Sequence, residues 1–178
     1  LDALLLPSGN DAAYALAAFT GRKICNDETT PVDKAITAFM IAMNKKAAGI
    51  GAVHSNFVSP DGYDAVGQYT TAYDLAIIAK VFMDSDVLKG IAGSYCISDI
   101  WLNGQEVTYY NTNELINPES PYFYETAAGL KTGKSESAGN CLVSCAYIAD
   151  ELYICVVMGS TEEGRWRDSL VLYHAIRQ

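Results

Sequence analysis

An α+β fold is predicted for this 178-residue chain from three observations. Apolar residues recur at helical spacing through most of the first half. Beyond residue 128 the pattern shifts to short apolar or alternating runs punctuated by glycine. One more amphipathic helix then closes the sequence. The expected arrangement is a single domain with a helical subdomain over about residues 1–92. A hairpin, a three-strand antiparallel meander and a covering C-terminal helix follow over about 93–178.

Taken in order, residues 11–20, DAAYALAAFT, read as an alanine-rich helix entered from the polar corner Ser8-Gly9-Asn10, a natural N-cap. Residues 31–48 give the clearest helix. Thr30 is placed to cap it, Pro31 suits its first position, and Val32, Ile36, Phe39, Met40 and Met43 share a face, with Gly49 and Gly51 ending it. The stretch 54–70, with Pro60, Gly62 and Gly67, reads as a long ordered loop. Thr71 and Asp74 open a further helix with Leu75, Ile78 and Phe82 inward.

Around 94–112, Asn103-Gly104 between apolar segments signals a hairpin with a tight turn. Strands are predicted at about 128–135, 139–148 and 151–159. The last helix, 162–177, carries Glu162 and Glu163 in its first turn and Trp166, Leu170 and Tyr173 on one face.

Half the residues are hydrophobic and 19% are charged, which suits a folded globule. A net charge of −9 argues against nucleic acid or an anionic membrane as main partner. No apolar run approaches the roughly 20 residues of a membrane span, and no cationic leader is present. Because the chain starts at Leu1 within an apolar helical pattern, its natural N-terminus is expected to lie upstream, so the missing leader carries no information on export. Five cysteines, Cys25, Cys96, Cys141, Cys145 and Cys155, lack metal-ligand spacing. Cys141 and Cys145, four apart on one strand, are too distant for a disulfide, and buried free thiols are expected. No metal or other cofactor is expected.

Against this acidic background, GLKTGKSESAG at 129–139 gathers two lysines, a threonine and three glycines. Such a run is either an anion-binding stretch or a solvated turn. Two short motifs bear on the choice: Ser8-Gly9-Asn10 at a helix start and Lys131-Thr132-Gly133 on a strand. Alone each is weak. In this order, with the segments LLLPSGNDAAYALA, GQYTTAYDLAIIAK and GLKTGKSESAGNCLVSCA around them, the chain resembles the serine D-alanyl-D-alanine carboxypeptidases, the low-molecular-weight penicillin-binding proteins. The likeness runs almost end to end.

That resemblance implies the penicillin-binding-protein/β-lactamase-like transpeptidase fold with its N-terminal strands missing. It also implies an extracytoplasmic setting in the bacterial envelope or secreted, and peptidoglycan stem peptides and β-lactams as partners. The family's Ser-x-x-Lys nucleophile motif precedes Ser-x-Asn, but only seven residues precede Ser8, and no serine here has lysine three positions on. The chain is therefore expected to be a catalytic-domain fragment that forms no acyl-enzyme alone.

In the intact enzyme, the resemblance makes Ser8 a proton carrier to the leaving amine. Asn10 becomes a partner for the substrate carbonyl and the missing lysine. Lys131 and Thr132 hold the terminal carboxylate, Gly133 leaves room for a substrate lying along the strand, and the Lys134 N–H completes an oxyanion hole. Arg165 matches a family arginine beside that strand; it either strengthens carboxylate binding or pairs with Glu162 or Asp168. Tyr73 stands where some relatives carry arginine. His54 and His174 are expected to be structural, and the aromatics at 122–124 to pack rather than line a cleft.

Two other readings compete. A class A β-lactamase needs a glutamate on its long loop, and residues 49–74 contain none. A non-catalytic peptidoglycan-binding module would lack the nucleophile by nature. The apolar strand 151–159, deprived of a neighbour, is expected to offer an edge for self-association.

Overall fold

The computed structural model describes residues 1–176. Its elements run α1 (Asp2–Leu5), α2 (Asn10–Cys25), α3 (Val32–Gly49), α4 (Ala72–Met83), α5 (Asp86–Ala92), β1 (Cys96–Ile100), β2 (Glu106–Tyr110), β3 (Ala127–Ser135), β4 (Gly139–Ile148), β5 (Glu151–Ser160) and α6 (Gly164–Ile176). They form two compact units. One is Gly9–Ile78; the other joins Leu1–Ser8 to the chain from Ala79 onward.

In the helical unit, α2 and α3 meet through small residues. Ala13, Ala17 and Ala35 are buried, and a Cβ on Gly21 would lie 1.8 Å from the Ala35 carbonyl oxygen. The alanine-rich pattern is thus a close-packing face. It carries α2 beyond residue 20 to Cys25, because Gly21 serves a helix contact rather than a stop. Asn26, with φ 52°, ends the helix by donating its N–H to the last-turn carbonyls of Arg22 and Lys23.

Two capping expectations change. Pro31 is the cap of α3 rather than its first residue, and no side chain caps it. Thr30 is buried instead, with its carbonyl accepting from Arg22 Nε at 3.0 Å. Val32 is exposed, off the face that buries Met40. The loop after α3 is ordered by polar anchors. Asn44 exchanges two hydrogen bonds with Phe57 (2.7 and 2.8 Å). The fully buried Asp74 carboxylate accepts from the His54 N–H and the Ser55 hydroxyl, both at 2.7 Å.

In the sheet unit, β3, β4 and β5 form an antiparallel meander in that order. One face buries Leu142, Ala146, Trp166 and Tyr173 with Leu115 and Tyr124. The other packs Leu130 and Cys145 against Ala79 and Met83 of the last turns of α4. This second layer explains why the units part at Ile78 rather than near residue 92. The short α5, which the sequence reading passed over, docks on β3 where Gly129 (φ 97°) brings its backbone against the Ala92 carbonyl. Ser85 caps α5 by accepting from the Leu88 N–H.

The β1–β2 hairpin pairs Ile100 with Glu106, so Asn103-Gly104 sits within a wider loop than a two-residue turn. Trp101 and Gln105 still bond across it (2.9 Å). Helix α6 starts at Gly164, whose N–H is capped by Thr161 Oγ1 at 3.0 Å. Glu162 and Glu163 therefore precede the helix instead of forming its first turn, and the predicted end at residue 177 lies outside the described residues. Only two of the five thiols are buried, Cys145 and Cys155, while Cys25 and Cys96 are exposed. Burial pushes the Cys145 thiol up to about 12. Among the described residues no helix is long and apolar enough to cross a membrane, and no cluster of His, Cys, Asp or Glu could hold a metal ion.

Candidate active site

The chain enters the sheet unit through α1 and turns sharply at Ser8, whose φ of 62° is a left-handed conformation that non-glycine residues seldom adopt. Ser8 is exposed and does not cap α2; Gly9 occupies that position. Two residues earlier, the carbonyl of the buried Leu6 accepts from the Thr112 N–H at 3.2 Å. Thr112 in turn shares a 2.6 Å hydrogen bond with the Thr132 hydroxyl on β3. A short bonded path thus ties the Ser8 corner to the strand carrying Lys131-Thr132-Gly133.

On β3, Lys131 lies opposite Val143, Thr132 opposite Leu142, Gly133 opposite Cys141 and Lys134 opposite Asn140. The Lys131 ammonium donates to the Thr132 carbonyl at 3.0 Å, and no carboxylate among the described residues lies within ion-pair distance of it. Burial first, and the nearby Arg165 guanidinium second, lower its pKa to about 8. Arg165, at the start of α6, stacks over Trp166 at 4.4 Å and donates to the Gly133 carbonyl at 3.4 Å. Burial lowers its pKa as well.

The ion pairs weighed for Arg165 go elsewhere. Glu162 pairs with Lys134 at 3.6 Å, and Asp168 accepts from the Ser160 hydroxyl at 3.2 Å. Two cations that form no ion pair within 4 Å among the described residues therefore lie at a hydroxyl-bearing strand in an acidic protein, with Glu162 and Glu114 acting on Arg165 only from farther away. Gly133 is exposed, and a Cβ there would meet only the Cys141 Cβ at 3.8 Å, so its outer side is open.

Ser8, Lys131, Thr132, Gly133, Lys134 and Arg165 all belong to the sheet unit, whereas Asn10 opens the first helix of the other. The aromatics before β3 largely pack: Tyr122 stacks on Trp166 and Tyr124 on Tyr173. Sequence reasoning missed Thr112. Its only local signal is the pair of asparagines flanking it, which the structure buries.

Comparison with known proteins bears on the family and the fold. The chain is 32% identical to the D-alanyl-D-alanine carboxypeptidase DacF of Bacillus subtilis (strain 168) over 163 residues, which is 90% of this chain and 37% of that protein. It is 31% identical to the D-alanyl-D-alanine carboxypeptidase of Streptomyces sp. (strain K15), covering 89% of this chain and 52% of that one. The chain thus spans about a third to a half of the length of these curated relatives. Among solved structures, the Streptomyces K15 DD-transpeptidase superposes with a TM-score of 0.86 at 29% identity, over 98% of this chain and 64% of that one. The D-alanyl-D-alanine carboxypeptidase from Mycobacterium tuberculosis H37Rv gives 0.78 at 29% identity, over 98% and 61%. The D-alanyl-D-alanine carboxypeptidase family itself (Peptidase_S11) matches residues 1–162, and the chain belongs to that family.

Proposed function

We propose that this chain supplies the carboxylate-docking and proton-transfer side of a serine D-Ala-D-Ala carboxypeptidase acting on peptidoglycan stem peptides outside the cytoplasm. The observation that carries the reading is the pair Lys131 and Arg165, two cations that form no ion pair within 4 Å among the described residues, beside Thr132 and the open Gly133 edge. A peptide ending in a free carboxylate matches that charge. The Lys131 ammonium and the Thr132 hydroxyl hold the carboxylate, Arg165 adds positive potential, and the peptide lies along β3 past Gly133.

In the reaction, a serine hydroxyl attacks the penultimate D-alanine carbonyl. The Lys134 N–H helps stabilise the oxyanion. The serine proton passes by way of Ser8 to the departing D-alanine nitrogen, as the carbon–nitrogen bond breaks and an ester remains. Water then hydrolyses the ester, and penicillin is trapped at the same ester stage. None of the 178 residues forms a Ser-x-x-Lys motif, so this polypeptide alone binds ligand without becoming acylated.

The test is D-alanine release from a diacetylated Lys-D-Ala-D-Ala peptide by the gene product that carries this chain. Release that is lost on Lys131→Ala is expected; undiminished release in that variant contradicts the reading. A fluorescent penicillin should leave the 178-residue polypeptide itself unlabelled.

We also propose that β5, paired on one side only by β4 among the described residues, accepts an extended segment of another chain, a second copy included. A strictly monomeric state in concentrated solution would count against this.

A further inference from the structure

Thr112 is exposed between two buried asparagines, and each asparagine holds the backbone around it. Asn111 donates from Nδ2 to the carbonyls of Ala92 (2.9 Å) and Ser94 (3.1 Å), and its Oδ1 accepts from the Asn113 N–H at 2.9 Å. Asn113 Oδ1 accepts from the Leu115 N–H at 3.1 Å. Thr112 therefore sits on a loop fixed from both sides, with its N–H on the Leu6 carbonyl and its hydroxyl on Thr132 Oγ1.

We infer that Thr112 is a positioning residue for anion docking, fixing the orientation of the Thr132 hydroxyl. The inference rests on the proposed carboxylate site and adds a residue to it. A hydroxyl has one proton and two lone pairs. When Thr112 donates to Thr132 Oγ1, the Thr132 proton is left for the ligand. Without that donor, Thr132 rotates among its staggered positions, and its proton is no longer aimed. The Leu6 bond extends the effect, because the loop that orients Thr132 also fixes the segment leading into Ser8.

The experiment uses the 178-residue chain with N-acetyl-D-alanyl-D-alanine and the corresponding amide, titrated by NMR. The wild-type chain is expected to prefer the acid. Thr112→Val, which keeps the backbone N–H, should weaken acid binding by roughly three- to ten-fold and leave amide binding unchanged. Thr112→Ser should restore acid binding. Three-bond couplings to the Thr132 methyl carbon give a second readout that needs no ligand: one rotamer in the wild type and in Thr112→Ser, averaging in Thr112→Val. An acid preference that survives intact in Thr112→Val, with Thr132 still in one rotamer, overturns the role of Thr112 alone. A wild-type chain that binds acid and amide equally overturns the docking site and this role with it.

Discussion

Arg165 reaches from the first turn of α6 to the carbonyl of Gly133 on β3, 32 residues away in sequence, at 3.4 Å. The guanidinium is steadied by Trp166 beneath it and forms no ion pair within 4 Å among the described residues. The last helix therefore contributes charge to the strand as well as covering the sheet.

Arg165→Gln should weaken binding of a peptide carboxylate by roughly ten-fold, the scale of one charge-assisted contact. It should also raise the pKa of Lys131 by removing a like charge. Arg165→Lys should restore only part of the affinity, because lysine cannot reproduce the planar stack on Trp166. Calorimetric titration checks both variants.

Lys131 also ties stability to pH. The unfolded chain keeps the lysine proton to about 10.5, whereas the folded protein gives it up near 8. The unfolded state thus binds more protons between those values, and stability should rise with pH across that window. Denaturant midpoints measured from pH 7.5 to 10.5 should show the rise, and Lys131→Gln should reduce it.

Asp74 makes a prediction of the same sign for the helical unit, in the acid range. Its pKa is lowered, chiefly by the Ser55 hydroxyl and with further help from the His54 N–H, against a desolvation that raises it. The stabilisation is fully present above the usual carboxylate range and is lost as pH falls through the lowered value. Asp74→Ala should lower Tm by about 5 °C or more and speed hydrogen exchange across residues 54–70, with Ser55→Ala milder on both measures.

Two glycines on β3 separate folding from function. A Cβ on Gly129 would lie 2.0 Å from the Ala92 carbonyl oxygen, at a φ of 97°. Gly129→Ala should therefore cost about 3 kcal/mol or more. A Cβ on Gly133 meets only ordinary contact, so Gly133→Ala should leave Tm within about 2 °C. It would still intrude on the open edge and cut peptide binding by roughly ten-fold. Thermal melts paired with titrations distinguish the two.

The strands and their motif were legible because Lys131-Thr132-Gly133 stands out against an acidic chain and the period changes near residue 128. The helices over residues 31–48 and 71 onward were legible from their apolar spacing. What escaped depends on distant partners. The seven-residue α5 contains a glycine and has little helical signal of its own; it is held by contact with β3. The alanine-rich pattern marked a helix only to residue 20; its continuation through Gly21 to Cys25 goes with the close approach of the Ala35 carbonyl, a distant partner. Thr112 and Thr132 are 20 residues apart, and neither has a local pattern that announces the pair. Glu162 and Glu163 resemble a helix start, but the glycine after them and the Thr161 cap place the boundary later.

The docking claim is tested most directly at the Lys131 nitrogen. Its titration, followed by side-chain 15N NMR, is predicted to fall near 8 in the free chain. It should move upward when N-acetyl-D-alanyl-D-alanine binds and stay put with the amide. An ordinary lysine titration that ignores both peptides would contradict the account.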